Sequence, residues 1–279
     1  MEPCQTASMT LEQIGRRERG SGQLRRQTVS CNRVTIWGLP LACVTFQQTV
    51  DMVDRLIEQH RPGFFITANL HYAMLASRDP RLRAANDQAA FIVADGMPLV
   101  SYSRLKRQPL PERVAGSDLI YGLCERAAQR GHRVFLLGGA PGVAEQAAGK
   151  LCRRYPGLQI VGVEVPPFRE LTAEEHSELI GRIRAARPDL LLVALGQPKG
   201  EIWLAENCRS LGVPVCVQVG ATFDFVAGRV RRAPKWMQKI GLEWLHRILS
   251  EPRRLLPRYV HNALFLFQAL TRDVSVALR

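Results

Sequence analysis

Residues suited to chemistry stand directly after apolar runs of this sequence. Asp95 follows the run Phe91–Ala94, while Thr67 and Asn69 lie at and just beyond the end of an earlier run. A lone carboxylate at the mouth of a pocket can accept a proton from an attacking hydroxyl, which is the task of a general base. Hydroxyl and amide groups can hydrogen-bond a sugar or a uracil ring. Simpler roles stay open, because Asp-Gly is common turn chemistry and Asn is a favoured helix cap.

Two further places suit the binding of phosphate. Arg113 precedes a predicted helix with Ser117 or Asp118 as its cap, and a helix amino terminus beside an arginine attracts anions. Gly138 and Gly139 form a glycine-rich turn between a predicted strand and a helix, as phosphate-binding turns do, although the turn lacks the dinucleotide pattern Gly-x-Gly-x-x-Gly.

An acidic residue keeps a second class of enzyme open. Glu164 ends the strand after the glycine-rich turn, about where a dinucleotide-binding fold keeps its ribose-binding acid. The residues alone therefore allow an NAD(P)-dependent oxidoreductase as well as an enzyme that acts on phosphate-containing substrates.

Two later blocks also follow apolar runs. Gln197, Lys199 and Glu201 come after one run, and Asp224 comes after the last. Each block is a weak signal alone, because Gly and Pro punctuate most loops. Both nevertheless fall where parallel α/β sheets keep their sites, at the carboxyl ends of strands.

The elements that position these residues are predicted from an alternation of apolar runs and segments with helical spacing. Continuous apolar runs are typical of strands buried on both faces, so the pattern predicts an α/β fold with a mainly parallel sheet covered by helices. The opening of the last helix, Thr172 to Glu175, fits a capping box. The runs are Val34–Trp37, Phe64–Thr67, Phe91–Ala94, Val134–Leu137, Leu158–Val163, Leu190–Leu195 and Val213–Val219, and the helical segments are Thr49–His60, Ser117–Arg130, Val143–Tyr155 and Thr172–Ala186.

Charge divides the chain of 279 residues, whose formal net charge is +13. Residues 1–32 are polar and are predicted to be a mobile tail, residues 33–228 form the α/β core, and residues 229–279 form a basic helical appendage. The appendage holds eleven basic residues against three acidic ones, interleaved with aromatic and aliphatic side chains. Such a segment is typical of a helix that lies on an anionic membrane, although an ordinary docked helix with a solvated basic face also fits.

Several classes of protein and site are not supported by the sequence. The seven scattered cysteines lack metal or disulfide spacing and read as reduced thiols. No run reaches the ~18 apolar residues of a membrane span, and the amino terminus lacks the apolar centre of a signal peptide. The basic charge suits nucleic acid, but no helix-turn-helix or RNP pattern supports such a partner.

Taken together, the motifs resemble those of the WecG/TagA/CpsF family of bacterial glycosyltransferases, from about Val34 to Tyr259. The matching series is Thr67-x-Asn69, Ala94-Asp-Gly96, Glu112-Arg-Val-x-Gly116, Leu137-Gly-Gly139 with Pro141-Gly142, Gly196-x-Pro-Lys199-x-Glu201, Phe223-Asp-Phe225 with Ala227-Gly228, Arg232-Ala-Pro234, Gly241-Leu-Glu-Trp244 with Arg247, and Glu251-Pro-x-Arg254 with Arg258-Tyr259.

The resemblance implies a Rossmann-like core and an inverting, metal-independent transfer without a cofactor. The donor would be a UDP-sugar, and the acceptor a sugar on undecaprenyl diphosphate, used in exopolysaccharide or other cell-surface polysaccharide synthesis. The enzyme would work in the cytoplasm, peripheral to the inner face of the membrane. Asp95 would be the base. Substrate-binding roles carry over to Thr67, Asn69, Arg113, Gly138, Gly139, Gln197, Lys199, Glu201, Asp224, Arg232, Arg247, Arg254 and Arg258.

Two positions depart from the family pattern. Gly200 stands where the family reads Gln in Pro-Lys-Gln-Glu, so the contact of that glutamine is expected to be absent unless Gln197 replaces it. Pro257 stands in the appendage and is expected to end a helix early, because proline lacks the N–H donor that a helix interior needs. The sugar transferred and the oligomeric state stay open.

Overall fold

A computed structural model describes residues 30–234, 236–237 and 241–277, without the side chains of Arg254 and residues 273–277. Most of the predicted tail, residues 1–29, lies outside this part of the chain. The strands are β1 (Arg33–Ile36), β2 (Leu39–Ala42), β3 (Phe64–Ala68), β4 (Ile92–Ala94), β5 (Arg133–Gly138), β6 (Gln159–Glu164), β7 (Leu190–Ala194) and β8 (Val215–Gln218). The helices are α1 (Phe46–Glu58), α2 (Leu70–Arg78), α3 (Pro80–Gln88), α4 (Met97–Ser103), α5 (Gly116–Arg130), α6 (Val143–Arg154), α7 (Ala173–Ala186), α8 (Lys199–Leu211), α9 (Thr222–Ala227), α10 (Glu243–Ser250) and α11 (Pro252–Ala277).

Six of these strands form one parallel sheet in the order β4-β3-β8-β7-β5-β6. Strand β3 shows why apolar runs predict it: all five of its residues are buried. Phe64 and Ile66 point into one core and Phe65 into the other, where it stacks on Phe91 with 4.7 Å between ring centroids. The predicted parallel sheet with helices on both faces is confirmed.

The run at Val34 does not join that sheet, contrary to its prediction as one strand of the regular alternation. It forms β1, which pairs antiparallel with β2, a strand that the sequence analysis missed. The turn between them is Trp37-Gly38, and both residues have positive φ, as a two-residue hairpin turn requires. Pro40 in β2 weakens the strand signal, but it is tolerated in a short hairpin at the margin of the fold.

Helix ends follow local capping chemistry. The capping box predicted at Thr172 and Glu175 is present at the start of α7. Helix α1 begins at Phe46, before the predicted start at Thr49, because Thr45 and Gln48 form a second capping box. The first turn of α1 is largely polar, so apolar spacing alone does not indicate where this helix begins.

Helix α11 continues past Pro257, so the expectation that this proline ends the helix is wrong. The proline costs the helix a backbone bond near its first turns, while packing holds the rest of the element. Leu255, Phe265 and Ala269 are buried against the core, and Phe265 meets the Trp37 ring edge-on at 6.0 Å. None of the described helices combines the length and the apolar character that a membrane crossing needs.

Candidate active site

The strand order gathers the predicted residues along one edge of the sheet. Asp95 follows β4, Thr67 lies in β3 beside it, Gln218 ends β8, Gln197 follows β7 and Gly138 ends β5. Parallel strands present their carboxyl ends at the same edge, where α/β sheets bind ligands. The candidate site is therefore a row that begins at Asp95 and extends across the middle of the sheet.

Asp95 is held at the start of helix α5. Its backbone N–H donates to the Ala68 carbonyl at 2.7 Å, which fixes the loop to the neighbouring strand. The N-cap of α5 is Ala115, which offers no side-chain oxygen, and the Gly116 N–H donates instead to the Asp95 carboxylate. A helix amino terminus favours negative charge, so the Asp95 carboxylate stabilises the start of α5 in place of a side-chain cap.

The environment of Asp95 suits a proton acceptor. Burial raises the pKa of its carboxyl from an ordinary 3.8 to about 7, against the lowering influence of Arg113 and of the Gly116 N–H. The negative charges of Glu243 and Asp118 add to the increase. A carboxylate with a pKa near the working pH is well matched to general-base catalysis.

Thr67 and Asn69 lie next to Asp95 and are both committed to protein contacts. The Thr67 hydroxyl donates to the Gln218 carbonyl at 3.1 Å, which ties β3 to β8. The Asn69 side-chain oxygen accepts from the Tyr72 N–H at 3.0 Å and caps α2. The simpler role considered for Asn69, that of a helix cap, is therefore confirmed.

Arg113 and Arg232, both predicted to bind substrate, are paired with carboxylates. Glu243 accepts from Arg113 at 2.8 Å and from Arg232 at 3.3 Å. Asp118 lies 3.5 Å from Arg113 and accepts from both terminal nitrogens of Arg232, at 2.5 and 2.9 Å. Burial lowers the pKa of Arg232, but the two carboxylates outweigh it and raise that pKa. We call these four residues the arginine–carboxylate network. Because Asp118 belongs to it, and because α5 has no side-chain cap, the prediction of Ser117 or Asp118 as that cap is wrong.

The network joins separate parts of the chain. Arg113 and Asp118 belong to the core beside Asp95, whereas Arg232 and Glu243 belong to the predicted appendage. The side chains of Arg113, Arg232 and Glu243 are all less than one fifth exposed, at 17%, 19% and 18%. The network therefore anchors the start of α10 against the core, next to the candidate base.

Helix α11 makes a second connection to the site. Arg258 donates to the Gln197 side chain at 3.3 Å, and His71 of α2 bonds Asn262 at 3.0 Å. Burial and the positive charge of Arg258 lower the pKa of His71 to about 4, although the bond to Asn262 opposes them. His71 is thus neutral at pH 7 and able both to donate and to accept.

Glu201 is buried at the start of α8. Only 1% of it is exposed, and within the described residues neither carboxylate oxygen has a hydrogen-bond partner of good geometry. Burial raises the pKa of Glu201 to about 7, and the adjacent Gln197 side chain and Arg258 partly offset that increase. Lys199, two residues earlier, is exposed at the helix start.

The glycine-rich turn is explained by close packing. Gly138 has a φ of +97°, and a Cβ atom there would lie 2.7 Å from the Ala194 carbonyl oxygen at the end of β7. The Gly139 N–H donates to the same oxygen at 3.0 Å. The turn therefore needs glycine for its backbone, whatever ligand lies above it.

The remaining predicted residues lie around α9 to α11. Asp224 is half-buried in α9, and the Arg247 guanidinium lies over the Phe225 ring, 5.6 Å from its centre. The Arg254 side chain is outside the described part of the chain. Arg247 is thereby brought from α10 to the carboxyl edge.

Glu164 is engaged away from the centre of the row. It ends β6, the outermost strand, and pairs with Arg182 of α7 at 2.7 Å. The ion pair with Arg182 thus gives Glu164 a structural role in place of the ribose-binding role considered from the sequence. Among the described residues, no three side chains of His, Cys, Asp or Glu are grouped so that they could hold a metal ion.

Three residues of this region were not predicted as site residues, namely Gln218, Asp118 and Glu243. Gln218 is the only polar residue within the predicted strand Val213–Val219, a signal that could have singled it out. Asp118 was considered only as a helix cap, and Glu243 only as an acid of the appendage within the motif Gly241-Leu-Glu-Trp244, without a role of its own. Each pairs with one arginine nearby in sequence and with one more than 100 residues away, and no local pattern reveals the distant pairs.

Comparison with known proteins identifies the family. A family model described as the glycosyl transferase WecG/TagA/CpsF family matches residues 34–277, most of the chain. A relative from Bacillus spizizenii, N-acetylglucosaminyldiphosphoundecaprenol N-acetyl-beta-D-mannosaminyltransferase, is 34% identical over 209 residues, which cover 73% of this chain and 79% of the relative. These matches replace the oxidoreductase alternative. With its parallel sheet and its row of motif residues, the chain belongs to the WecG/TagA/CpsF family and is a glycosyltransferase.

Proposed function

We propose that this glycosyltransferase moves a sugar, with inversion, from a UDP-sugar to a saccharide carried on undecaprenyl diphosphate, in bacterial exopolysaccharide or other cell-surface polysaccharide synthesis. The name of the Bacillus relative states a diphosphoundecaprenol acceptor and the transfer of N-acetylmannosamine. The observation that carries the proposal is Asp95, a carboxylate at the sheet edge whose pKa is raised by burial to about 7.

Asp95 acts as the base in a single displacement. It takes the proton of the acceptor hydroxyl as that oxygen bonds to the anomeric carbon of the donor sugar. The bond from that carbon to the UDP oxygen breaks at the same time, and UDP leaves with the electron pair. Attack opposite the leaving group inverts the anomeric configuration.

Arginines stabilise the charge that develops on departing UDP. Arg247 and Arg258 reach the carboxyl edge from α10 and α11, and Arg254 belongs to the same motif series. Preorganised donors of this kind lower a barrier because they need no reorientation as charge develops. Arg113 and Arg232 hold α10 in place through the arginine–carboxylate network, and this contact positions Arg247.

Helix α11 provides the contact with the membrane. Its buried face packs on the core, and its other face exposes a row of apolar side chains, namely Leu256, Val260, Leu264, Phe267 and Leu270. We call this row the α11 ridge. Basic residues flank it, and a basic amphipathic helix binds an anionic surface through both charge and apolar burial. The enzyme thus works peripherally, on the cytoplasmic face where its lipid-linked acceptor is presented.

The test is a transfer assay with purified protein, a panel of UDP-sugars and undecaprenyl-diphosphate-linked N-acetylglucosamine. We expect one UDP-sugar to give a lipid-linked disaccharide of inverted configuration, and an Asp95→Asn protein to give almost none. Glu178→Gln is the matched control, because this carboxylate of α7 has a side chain that is 71% exposed. Product formed equally fast by the Asp95→Asn protein would contradict the role of the base, and thermal stabilisation by NAD(P) but by no UDP-sugar would contradict the proposed donor.

A further inference from the structure

Two polar side chains are buried at the same sheet edge as the candidate base, on the far side of β3 from it. Gln218, the last residue of β8, is 2% exposed, and Glu201 in the first turn of α8 is 1% exposed. Within the described residues, both polar atoms of each side chain lack a hydrogen-bond partner of good geometry, although the Gln197 side chain lies next to Glu201. Native proteins rarely leave such atoms unpaired, and exceptions point to a functional role or a bound group.

Gly200 creates the space that Gln218 fills. A Cβ atom at position 200 would lie 2.5 Å from the Gln218 Cδ, 2.6 Å from its Nε2 and 2.7 Å from its Oε1. The backbone of Gly200 is outside the left-handed region, so its conformation does not require glycine. Glycine is needed here because the carboxamide of Gln218 lies against it.

The pair lies at the centre of the candidate site. Strand β8 is flanked by β3 and β7, and the Gln218 carbonyl accepts from Thr67 of β3. Gln197, which follows β7, lies beside Glu201 and is held by Arg258 of α11. The unpaired atoms therefore lie at the strand ends, next to the Gln197 side chain.

The family motif carries its glutamine at position 200, where this chain has Gly200. We propose that Gln218 supplies from strand β8 the carboxamide that the motif carries on the helix, and that Gln218 and Glu201 together bind a neutral polar substituent of the donor sugar. The inference rests on the proposed function.

The chemistry of the pair defines the substituent. A carboxamide offers two N–H donors and an acceptor oxygen, so it matches a hydroxyl or an acetamido group, which both donate and accept. A sugar carboxylate would be placed beside the Glu201 carboxyl, where two negative charges repel each other in a buried setting. The pair therefore accepts N-acetylhexosamine and hexose donors and rejects hexuronic acid donors.

The test measures transfer by the full chain from three donors. Two of them, UDP-N-acetylmannosamine and UDP-glucose, are neutral in the sugar, and the third, UDP-N-acetylmannosaminuronic acid, carries a sugar carboxylate. Gln218→Met keeps the shape of the side chain but removes its hydrogen bonds. We expect this variant to lose about 10- to 100-fold in kcat/KM for the preferred neutral donor, the effect of one or two lost hydrogen bonds. Its thermal unfolding temperature should equal or exceed that of the wild type, because the variant removes buried unpaired polar atoms, and its affinity for UDP alone should be unchanged. A merely structural role for Gln218 predicts a less stable variant instead.

A second test moves the glutamine from position 218 to position 200. Gly200→Gln alone should lose activity, because its side chain collides with Gln218, and the double variant Gly200→Gln/Gln218→Gly should recover it to within a few-fold of the wild type. Unchanged kinetics in Gln218→Met, or a double variant no better than Gly200→Gln, would overturn the inference while leaving the transferase function intact. A wild-type protein that transfers no sugar from any UDP donor would overturn both.

Discussion

Replacing Asp95 by Asn should stop the reaction and strengthen the fold. Asn has nearly the same size, and its side-chain oxygen can still accept from the Gly116 N–H. It cannot take up a proton, and general-base catalysis contributes about 10²- to 10⁴-fold to a rate. We therefore expect kcat to fall by this factor while UDP still binds.

The effect on stability follows from the raised pKa. The pKa of Asp95 is higher in the folded chain, about 7, than its ordinary 3.8, so the native state binds more protons than the unfolded chain between these values. Ionising Asp95 therefore costs stability, with no cost below about pH 4 and the full cost above about pH 7. About three pH units at 1.36 kcal/mol each give about 4 kcal/mol as an upper value, since the partial exposure of the side chain reduces it.

Urea unfolding of both proteins at pH 8 and pH 5, followed by circular dichroism, measures this linkage. The stability gained by Asp95→Asn should be larger at pH 8, by up to roughly 2 to 3 kcal/mol. In parallel, the wild-type kcat/KM should fall tenfold for each pH unit below about 7 as the base is protonated. An Asn protein that is equally stable or less stable at both pH values, together with a flat wild-type pH profile, would refute the assignment.

Three further predictions concern parts of the molecule outside the base. Glu243→Gln removes the carboxylate shared by Arg113 and Arg232, so it should lower the free energy of unfolding by about 1–3 kcal/mol and also slow transfer; urea unfolding and initial rates check this, and wild-type values in both would contradict the anchoring role. Phe267→Asp on the α11 ridge should weaken flotation with anionic liposomes at least about tenfold at fixed salt while leaving solution binding of UDP unchanged, since burial of a Phe side chain contributes about 1.5–3 kcal/mol. Thr172→Ala breaks the capping box of α7 and should cost about 1 kcal/mol in urea unfolding without changing kcat, and a loss of activity there would mean that α7 is coupled to the site.

The sheet could be predicted from the sequence because its strands are buried on both faces. A run such as Phe64–Thr67 has no polar residue facing solvent, so it can lie only between two layers of helices. The carboxyl-end location of Asp95, Thr67 and Gln197 then follows from parallel pairing alone. Local chemistry likewise predicted the capping box at Thr172, because both of its partners lie within one turn.

Long-range pairing escaped the sequence analysis. The arginine–carboxylate network could not be predicted, because the pairs Arg113–Glu243 and Arg232–Asp118 that join its two halves lie more than 100 positions apart. The contact between Gly200 and the Gln218 side chain could not be predicted either, because it depends on how strand β8 lies against helix α8. The hairpin of β1 and β2 was missed because its signal is a turn at Trp37, a residue type that rarely adopts positive φ.

The contact between Trp37 and Phe265 has a consequence for biosynthesis. The hairpin is synthesised more than 200 residues before the helix that packs on its indole, because Trp37 and Phe265 lie that far apart in the chain. Until α11 has been made, the face of the Trp37 indole that Phe265 later covers therefore stays exposed, while Tyr102 can already pack on the same ring. A messenger truncated before codon 265 would yield a protein with a complete parallel sheet and a persistent chaperone-binding surface at Trp37.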